Sequence, residues 1–305
     1  KMINFYMSMM NKIALSFMPL LPKSLVYQFA KRYVAGTTKE TALDAIEDLN
    51  KKGFVVTLDI LGEHTQTRHI ASEVTSDYID LYKQIHKRKL DCNISLKPSH
   101  IGSDISEEVY NENLQKVLKV SEETDNFVRI DMESSKATDF TIKSFVNEKN
   151  KGFNIGTVFQ AYLYRTFDDI ANLDPRNLNF RLCKGIYKES EEICITDRSK
   201  INDNYLKILR FAFENDIYVG IATHDINLLE SIHELIGELN IDSDRFEFQV
   251  LYGVPMHGWN QKHLDSGYKV RVYVPFGKDW YKYSIRRLKE NPDIAGYIIK
   301  NLFSK

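Results

Sequence analysis

The chain has 305 residues, with 41 basic against 42 acidic side chains and no long run of one charge sign. This length can bury a large core and fits one α/β barrel or two ordinary domains. The balanced charge lacks the electrostatic footprint of a nucleic-acid-binding protein, so we expect a small-molecule partner. Three cysteines without a CxxC spacing indicate a reducing compartment rather than a disulfide framework or a zinc knuckle.

Residues 1–52 are expected to form a helical extension ahead of the main domain. Lys39–Lys51 has the spacing of an amphipathic helix, and the methionine-rich segment Met2–Met18 is predicted to be a second helix or a loose arm. The apolar stretch Ile13–Leu21 contains a proline and is too short to span a bilayer, and no signal-peptide pattern accompanies it. The methionines and aromatic residues of the arm suit a core position or, less commonly, contact with a membrane surface or partner.

Residues 53–305 are expected to form one domain, because short β-branched or aromatic runs alternate there with longer segments of helical period. The candidate strands are Phe54–Ile60, Cys92–Leu96, Phe127–Met132, Thr157–Ala161, Asn179–Cys183, Tyr218–Ala222, Phe246–Leu251 and Lys269–Val274. The clearest helical segments are Glu107–Glu122, Ser199–Asn215, Ile226–Leu239 and Lys278–Leu288, of which the first three follow the capping residues Ser106, Asp197 and Asp225. The alternation predicts an α/β fold, the (β/α)8 or TIM barrel.

Polar residues cluster where these strands end, which is where the reactive groups of such a barrel lie. The polar residues and their direct neighbours are Lys97-Pro98, Asp131-Met132-Glu133, Gln160, Arg181, Lys184-Gly185, Thr223-His224-Asp225, Tyr252-Gly253 and Tyr273. Each has an ordinary alternative: Lys97 as a surface lysine, Asp131 as a helix cap and His224 as a structural histidine. We favour a site role for Asp131, because it lies too early to cap the helix that follows.

The final predicted helix carries Tyr283, Arg286 and Arg287, which helical spacing places on adjoining positions of one face. Adjacent guanidinium groups repel each other, and the planar fork of arginine matches a carboxylate. The pair therefore predicts a carboxylate clamp beside an aromatic wall. The alternative is that both arginines cap the helix and face water.

The common nucleotide and hydrolase motifs are absent from the sequence: no GxGxxG follows a strand, and GxxxxGK[ST], HExxH and GxSxG do not occur. A cofactor would therefore not be held by a Rossmann turn. Besides an enzyme that binds such a cofactor, two further classes of protein stay open from the residues alone. Asp59, Glu63, Asp131 and His224 could bind a divalent metal, or Lys97 could form a Schiff base, in a lyase or aldolase. A non-catalytic scaffold with a functional N-terminal arm is the third.

Seven segments together resemble the bacterial monofunctional proline dehydrogenases. In chain order they are LDILGE at Leu58–Glu63, IDME at Ile130–Glu133, FQAYLYRT at Phe159–Thr166, RLCKGIY at Arg181–Tyr187, ATHD at Ala222–Asp225, FQVLYG at Phe248–Gly253 and the closing segment Arg271–Leu288. The resemblance implies a distorted (β/α)8 barrel that binds FAD non-covalently and oxidises L-proline to 1-pyrroline-5-carboxylate by hydride transfer. A related FAD enzyme acting on hydroxyproline is the alternative within this class.

The resemblance also implies roles for individual residues. On the substrate side, Arg286, Arg287 and Lys97 would hold the proline carboxylate, Tyr273 and Tyr283 would pack on its ring, and Asp131 would orient Lys97. On the cofactor side, Arg181 would lie near the reactive ring nitrogen and Gln160 at the pyrimidine edge, with Met132 on the ring. The remaining contacts would come from Lys184, Gly185, Ile186, Thr223 and His224. Asp131 and Arg181 are the expected catalytic residues, and no metal is expected.

Three further expectations follow from the same resemblance. Cys183 and Ile186 stand where the family often has other residues, which could change the packing of the flavin. Tyr273 would crowd a ring hydroxyl, so proline should be preferred over hydroxyproline. The electron acceptor would be a membrane quinone, reached from a cytoplasmic location by peripheral contact with the inner face of the membrane.

Overall fold

The structure is a computed structural model that describes residues 23–290 except Asn177. The predicted arm Met2–Met18 and the apolar stretch Ile13–Leu21 lie outside these described residues. Within residues 23–290, no helix has the length and apolar composition needed to cross a membrane.

Eight parallel strands close into a barrel in the order β1 to β8, which confirms the predicted fold class. The strands are β1 Val55–Ile60, β2 Cys92–Leu96, β3 Val128–Ile130, β4 Ile155–Gln160, β5 Asn179–Cys183, β6 Tyr218–Ala222, β7 Phe246–Leu251 and β8 Val270–Phe276. The bounds of β2, β5, β6 and β7 match the prediction. Strand β8 runs two residues further than predicted, because it stays paired with β1 through Pro275, whose carbonyl accepts a hydrogen bond from the Ala35 amide at 2.9 Å.

Helices surround the barrel and are interleaved with its strands. They are α1 Lys23–Ala30, α2 Lys39–Lys51, α3 Arg68–Arg88, α4 Glu107–Glu123, α5 Thr138–Asn150, α6 Thr166–Ala171, α7 Arg198–Glu214, α8 Ile226–Glu238, α9 Trp259–Asp265 and α10 Trp280–Glu290. The three predicted caps are confirmed, since the side chains of Ser106, Asp197 and Asp225 each accept a hydrogen bond from an amide in the first turn of α4, α7 or α8.

The two helices that precede the barrel pack against different parts of it. Ala42, Leu43 and Ile46 of α2 belong to the main core. Val26 of α1 instead packs in a smaller apolar cluster with Tyr283 of α10. Helix α1 therefore braces the helix that carries the paired arginines.

A layer of charged side chains fills the barrel below its carboxyl end. Glu247 of β7 accepts hydrogen bonds from Arg271 of β8 at 2.6 Å and from the Tyr218 hydroxyl at 3.0 Å. Arg129 of β3 donates to the side chain of Asn179 at 2.7 Å. Glu247 and Arg129 are buried, and the ion pair between Glu247 and Arg271 offsets the cost of removing these two charges from water.

Candidate active site

A cavity of about 810 Å³ opens at the carboxyl ends of the strands. This volume lies in the range typical of small-molecule and cofactor sites. Seven basic and five acidic side chains line it, so the lining favours a ligand with negative charge. All the site residues named from the sequence line this cavity: Lys97, Asp131, Met132, Gln160, Arg181, Lys184, Gly185, Ile186, Thr223, His224, Tyr273, Tyr283, Arg286 and Arg287.

Lys97 follows β2 and forms an ion pair with Asp59 of β1. Its ammonium group donates to both carboxylate oxygens of Asp59 at 2.8 Å. Burial alone would lower the pKa of Lys97, but the charges of Asp59 and Asp131 outweigh it and hold the pKa above its usual value. Lys97 is therefore a cation. The expectation that Asp131 orients Lys97 is wrong, because the acid that accepts the hydrogen bonds of the Lys97 ammonium is Asp59.

Asp131 lies at the end of β3 and is held by three donors. Ser95 donates to Oδ1 at 2.6 Å, the Arg181 guanidinium donates to the same oxygen at 2.7 Å, and the Tyr273 hydroxyl donates to Oδ2 at 3.1 Å. The alternative role of Asp131 as a helix cap does not apply, since α5 begins at Thr138 without a side-chain cap. The carboxylate instead links side chains from β2, β5 and β8 at the cavity.

Arg181 is fixed on its other edge by Gln249 of β7. Its Nε donates to the amide oxygen of Gln249 at 2.6 Å, and its guanidinium carbon lies 5.1 Å from the centre of the Tyr273 ring. The remaining nitrogen, Nη2, is buried and makes no hydrogen bond to any residue that the structure describes. A buried donor of this kind is costly unless a ligand accepts from it, so it suits a bound group with an acceptor atom.

The loop after β5 shapes one side of the cavity. Lys184 donates to Asp225 at 2.5 Å, so its charge is paired with the cap of α8. Gly185 has a φ of +114°, and a Cβ atom there would lie 2.2 Å from the Tyr162 ring, so the position requires glycine. Ile186 is exposed at the rim. The loop therefore brings backbone to the cavity at Gly185.

Thr223 and His224 follow β6 and face the same cavity. The ring nitrogen Nε2 of His224 accepts a hydrogen bond from the Leu251 amide at 3.0 Å. Burial, with a smaller contribution from Arg287, lowers the pKa of His224 to about 4. His224 is therefore a neutral acceptor near pH 7.

The alternative metal set is not assembled among the described residues, because Asp59 pairs with Lys97, Asp131 with Arg181 and His224 with Leu251. A different group, Glu63, His64 and Glu133, places its ligand-type atoms within 4.8 Å of one another. Two of its members already have hydrogen-bond partners. Glu133 accepts from Ser99 at 2.5 and 2.9 Å, and His64 contacts Asp104 at 2.7 Å.

The paired arginines of α10 differ in exposure. Arg287 is 7% exposed, and its guanidinium carbon lies 5.4 Å from the centre of the Tyr283 ring, whereas Arg286 is exposed at the rim. The alternative in which both arginines face water is therefore wrong for Arg287. Both arginines still line the cavity. An anion in the cavity would meet one buried and one accessible guanidinium.

Sequence reasoning missed the supporting partners of these residues. Gln249 and Ser95 were not considered, and Asp59 was considered only as a metal ligand. A signal was present for Asp59, because a charge inside an otherwise apolar strand needs a buried partner. Gln249 gave a weaker signal as a polar residue in the middle of β7.

The fold and the site define a (β/α)8-barrel enzyme with an anion-binding, aromatic-lined pocket at its carboxyl end. Residues 42–298 match the model of the family described as proline dehydrogenase. The chain belongs to the proline dehydrogenase family, which confirms the resemblance inferred from its sequence. Membership implies an oxidoreductase with a flavin cofactor.

Relatives with the family name are similar over nearly the whole chain. Proline dehydrogenase 2 of Bacillus subtilis (strain 168) is 38% identical over 277 residues, covering 90% of this chain and 91% of the relative. Proline dehydrogenase of Deinococcus radiodurans is 32% identical over 289 residues, covering 92% of each. Among solved structures, proline utilization A of Bdellovibrio bacteriovorus inactivated by N-propargylglycine has a TM-score of 0.81 at 25% identity. The similarity covers 91% of this chain but 34% of that longer protein.

Proposed function

We propose that this chain oxidises L-proline to 1-pyrroline-5-carboxylate with non-covalently bound FAD, in the first step of proline catabolism. The observation that carries the proposal is the convergence of Arg287, Arg286 and Tyr283 of α10 with Arg181 and Tyr273 of the barrel in one cavity. A carboxylate-binding pair, two aromatic rings and a buried cation are the groups that an amino-acid oxidation needs in one place. Family membership supports the same reaction.

The described residues fit a flavin dinucleotide in three respects. The cavity has the volume of a cofactor site and a surplus of basic side chains, which suits a ligand with a pyrophosphate. The orphaned Nη2 of Arg181 offers a buried donor. Gly185 brings backbone rather than a side chain to the rim. When bound, FAD supplies the two-electron oxidant that accepts the hydride. The residues proposed to hold it are Met132, Gln160, Arg181, Lys184, Gly185, Ile186, Thr223 and His224.

The substrate carboxylate is bound by Arg286, Arg287 and Lys97 in this proposal. Arg287 is the stronger contributor, because its burial reduces screening by water. The ion pair with Asp59 keeps Lys97 charged and restricts where its ammonium can point. Tyr273 and Tyr283 then exclude water from the apolar ring, and the substrate is held in one orientation for hydride loss.

Arg181 provides the electrostatic part of catalysis. The transferred hydride would carry its negative charge to the flavin, and a buried cation fixed before the reaction would stabilise this charge without reorganising. Asp131 and Gln249 hold Arg181 in place from two sides. Asp131 also positions Tyr273 through the hydroxyl contact, so one carboxylate orients both a cofactor-side and a substrate-side group.

The physiological electron acceptor in this proposal is a membrane quinone, which the cytoplasmic enzyme reaches by peripheral contact with the inner face of the membrane. The support is the family resemblance. Flotation with vesicles containing anionic lipid, comparing the full chain with a variant that lacks residues 2–18, tests the membrane contact. Equal flotation of the two proteins would show that residues 2–18 are not needed for membrane binding. Failure of the full chain to float would overturn the proposed membrane contact.

An anaerobic absorbance spectrum tests the central proposal. The purified protein should show the visible bands of a flavin, and addition of L-proline should bleach them. A colourless protein that gains no activity with FAD would instead favour the alternative metal or Schiff-base enzyme. A flavoprotein that proline fails to bleach would leave the cofactor assignment standing and overturn the substrate.

A further inference from the structure

A chain of buried hydrogen bonds connects Arg181 with the charged layer in the lower part of the barrel. Arg181 Nε donates to Gln249 Oε1 at 2.6 Å, and Gln249 Nε2 donates to Glu247 Oε1 at 2.6 Å. The three side chains are 7%, 4% and 2% exposed, in that order. Water therefore has little access to replace either bond.

The charge of Glu247 decides which way the Gln249 amide points. A carboxylate can accept but not donate, so the NH₂ group of Gln249 must face Glu247 and its oxygen must face Arg181. The reversed amide would oppose two oxygens at one end and two N–H groups at the other. Because the three side chains are almost fully buried, both contacts would be left unsatisfied, each at a substantial cost in free energy.

Two features around Glu247 maintain this orientation of the Gln249 amide. Arg271 and Tyr218 also donate to the carboxylate, at 2.6 and 3.0 Å. Although burial opposes it, the charges of Arg271 and Arg129 lower the pKa of Glu247 to about 2, so the acid remains ionised. Gly220 on the neighbouring strand gives the amide its room, since a Cβ atom there would lie 2.3 Å from Gln249 Nε2.

We propose that Glu247 is a positioning residue for the redox step, acting through Gln249 to orient the guanidinium of Arg181. Glu247 does not line the cavity and touches neither substrate nor cofactor. Through Gln249, Glu247 fixes the Nε edge of the Arg181 guanidinium. Because the guanidinium is planar, this also fixes the direction of Nη2, which makes no hydrogen bond to any described residue. The inference rests on the proposed function of Arg181 in flavin reduction.

A double-mutant cycle in the holoenzyme tests this coupling. Glu247→Gln removes the charge that selects the amide orientation, and Gln249→Met removes both hydrogen bonds at nearly constant volume. Each single variant should lower the limiting rate of flavin bleaching by about 10- to 100-fold, because Arg181 loses its fixed geometry. The KM for proline should change less than about threefold, because the carboxylate-binding residues are untouched. The flavin reduction potential should become more negative in both, since a cation that is no longer fixed stabilises the reduced form less.

The double variant separates a positioning role from a structural one. If Glu247 acts through Gln249, the double variant should be no slower and no more negative in potential than the more affected single variant. The inference would be overturned if the rate loss of the double variant equalled the product of the two single losses. A wild-type rate and potential in Glu247→Gln would also overturn it. Gly220→Ala is a second route to the same displacement that leaves the acid and the amide present, and it should give the same lowered potential.

A matched control is available outside the barrel. Glu148 of α5 is also buried and accepts a hydrogen bond from a glutamine, Gln115, at 2.7 Å, but neither residue lines the cavity. Glu148→Gln should leave the bleaching rate and the potential unchanged. If wild-type protein is not bleached by proline at all, the proposed function fails and this role with it. Normal bleaching of wild type and Glu247→Gln alike overturns the positioning role alone.

Discussion

The ion pair between Lys97 and Asp59 offers a direct measure of how strongly the site depends on its buried charges. The two side chains are 15% and 1% exposed, and both hydrogen bonds are 2.8 Å long. Asp59→Asn removes the partner and leaves a buried ammonium group. Breaking a buried pair in this way costs about 3–5 kcal/mol. We expect the free energy of unfolding to fall by that amount at pH 7.

Removing both charges should cost much less than removing one. The variant Asp59→Asn with Lys97→Met leaves no unpaired ion, so its loss of unfolding free energy should be well below the sum of the two single losses. The coupling should be about 2–3 kcal/mol. Urea titrations of the four holoproteins at one fixed FAD concentration give these values, provided that the slope of each titration is unchanged.

The surface pair between Lys143 and Glu107 is the matched control. Its length is similar, at 2.9 Å, but its side chains are 61% and 56% exposed. The same cycle with Lys143→Met and Glu107→Gln should give a coupling of about 0.2–1 kcal/mol. If the buried and the exposed cycles gave equal couplings, burial would not be the source of the stabilisation and the reasoning would fail.

Three other outcomes are expected. Arg287→Met should weaken proline binding by about 2–5 kcal/mol and Arg286→Met by less, with flavin content retained; equal affinity of wild type and Arg287→Met in a proline titration would refute the clamp. Tyr273→Phe should lose the contact with Asp131, and wild type should turn over proline faster than hydroxyproline; comparable turnover of the two would contradict crowding by Tyr273. Burial is the main cause that lowers the pKa values of three histidines to about 3, 4 and 3: His100, His224 and His263. Since the unfolded chain protonates first, near pH 6.5, their contribution to stability should be complete above that pH and should be lost as pH falls towards 4; a urea midpoint constant from pH 7 to pH 4.5 would refute it.

The barrel could be predicted from the sequence because its strands are short apolar runs bounded by polar turns. Periodicity gave β2, β5, β6 and β7 their bounds, but it could not locate the end of β8, where Pro275 remains paired with β1. A proline in the sequence suggests that a strand stops. Here the strand continues, because Pro275 and Phe276 stay paired with β1. The Pro275 carbonyl also accepts a hydrogen bond from the amide of Ala35, in the segment that follows α1.

The residue types of the site could also be predicted, whereas their pairing could not. Lys97 follows β2 and has a carboxylate on each neighbouring strand, Asp59 on β1 and Asp131 on β3. Sequence spacing does not show which of these two carboxylates pairs with Lys97. The choice depends on Arg181, which reaches Asp131 from β5, two strands away, and leaves Asp59 for the lysine. Pairing of this kind is decided by tertiary geometry, so it is visible only in the structure.

These pairings neutralise three of the five acids that line the cavity. Asp59 and Asp131, the acids at the ends of β1 and β3, are each neutralised by a cation of the barrel, and Asp225 is neutralised by Lys184. The lining still has seven basic against five acidic side chains, and the arginines of α10 are among the basic ones, so the cavity as a whole favours an anion. In the proposed function, the barrel supplies paired charges, including Lys97 for the substrate carboxylate, and the final helix, which packs against α1, adds Arg286 and Arg287. Arg286 and Arg287 can therefore be replaced without changing the contacts by which Asp131 and Gln249 hold Arg181.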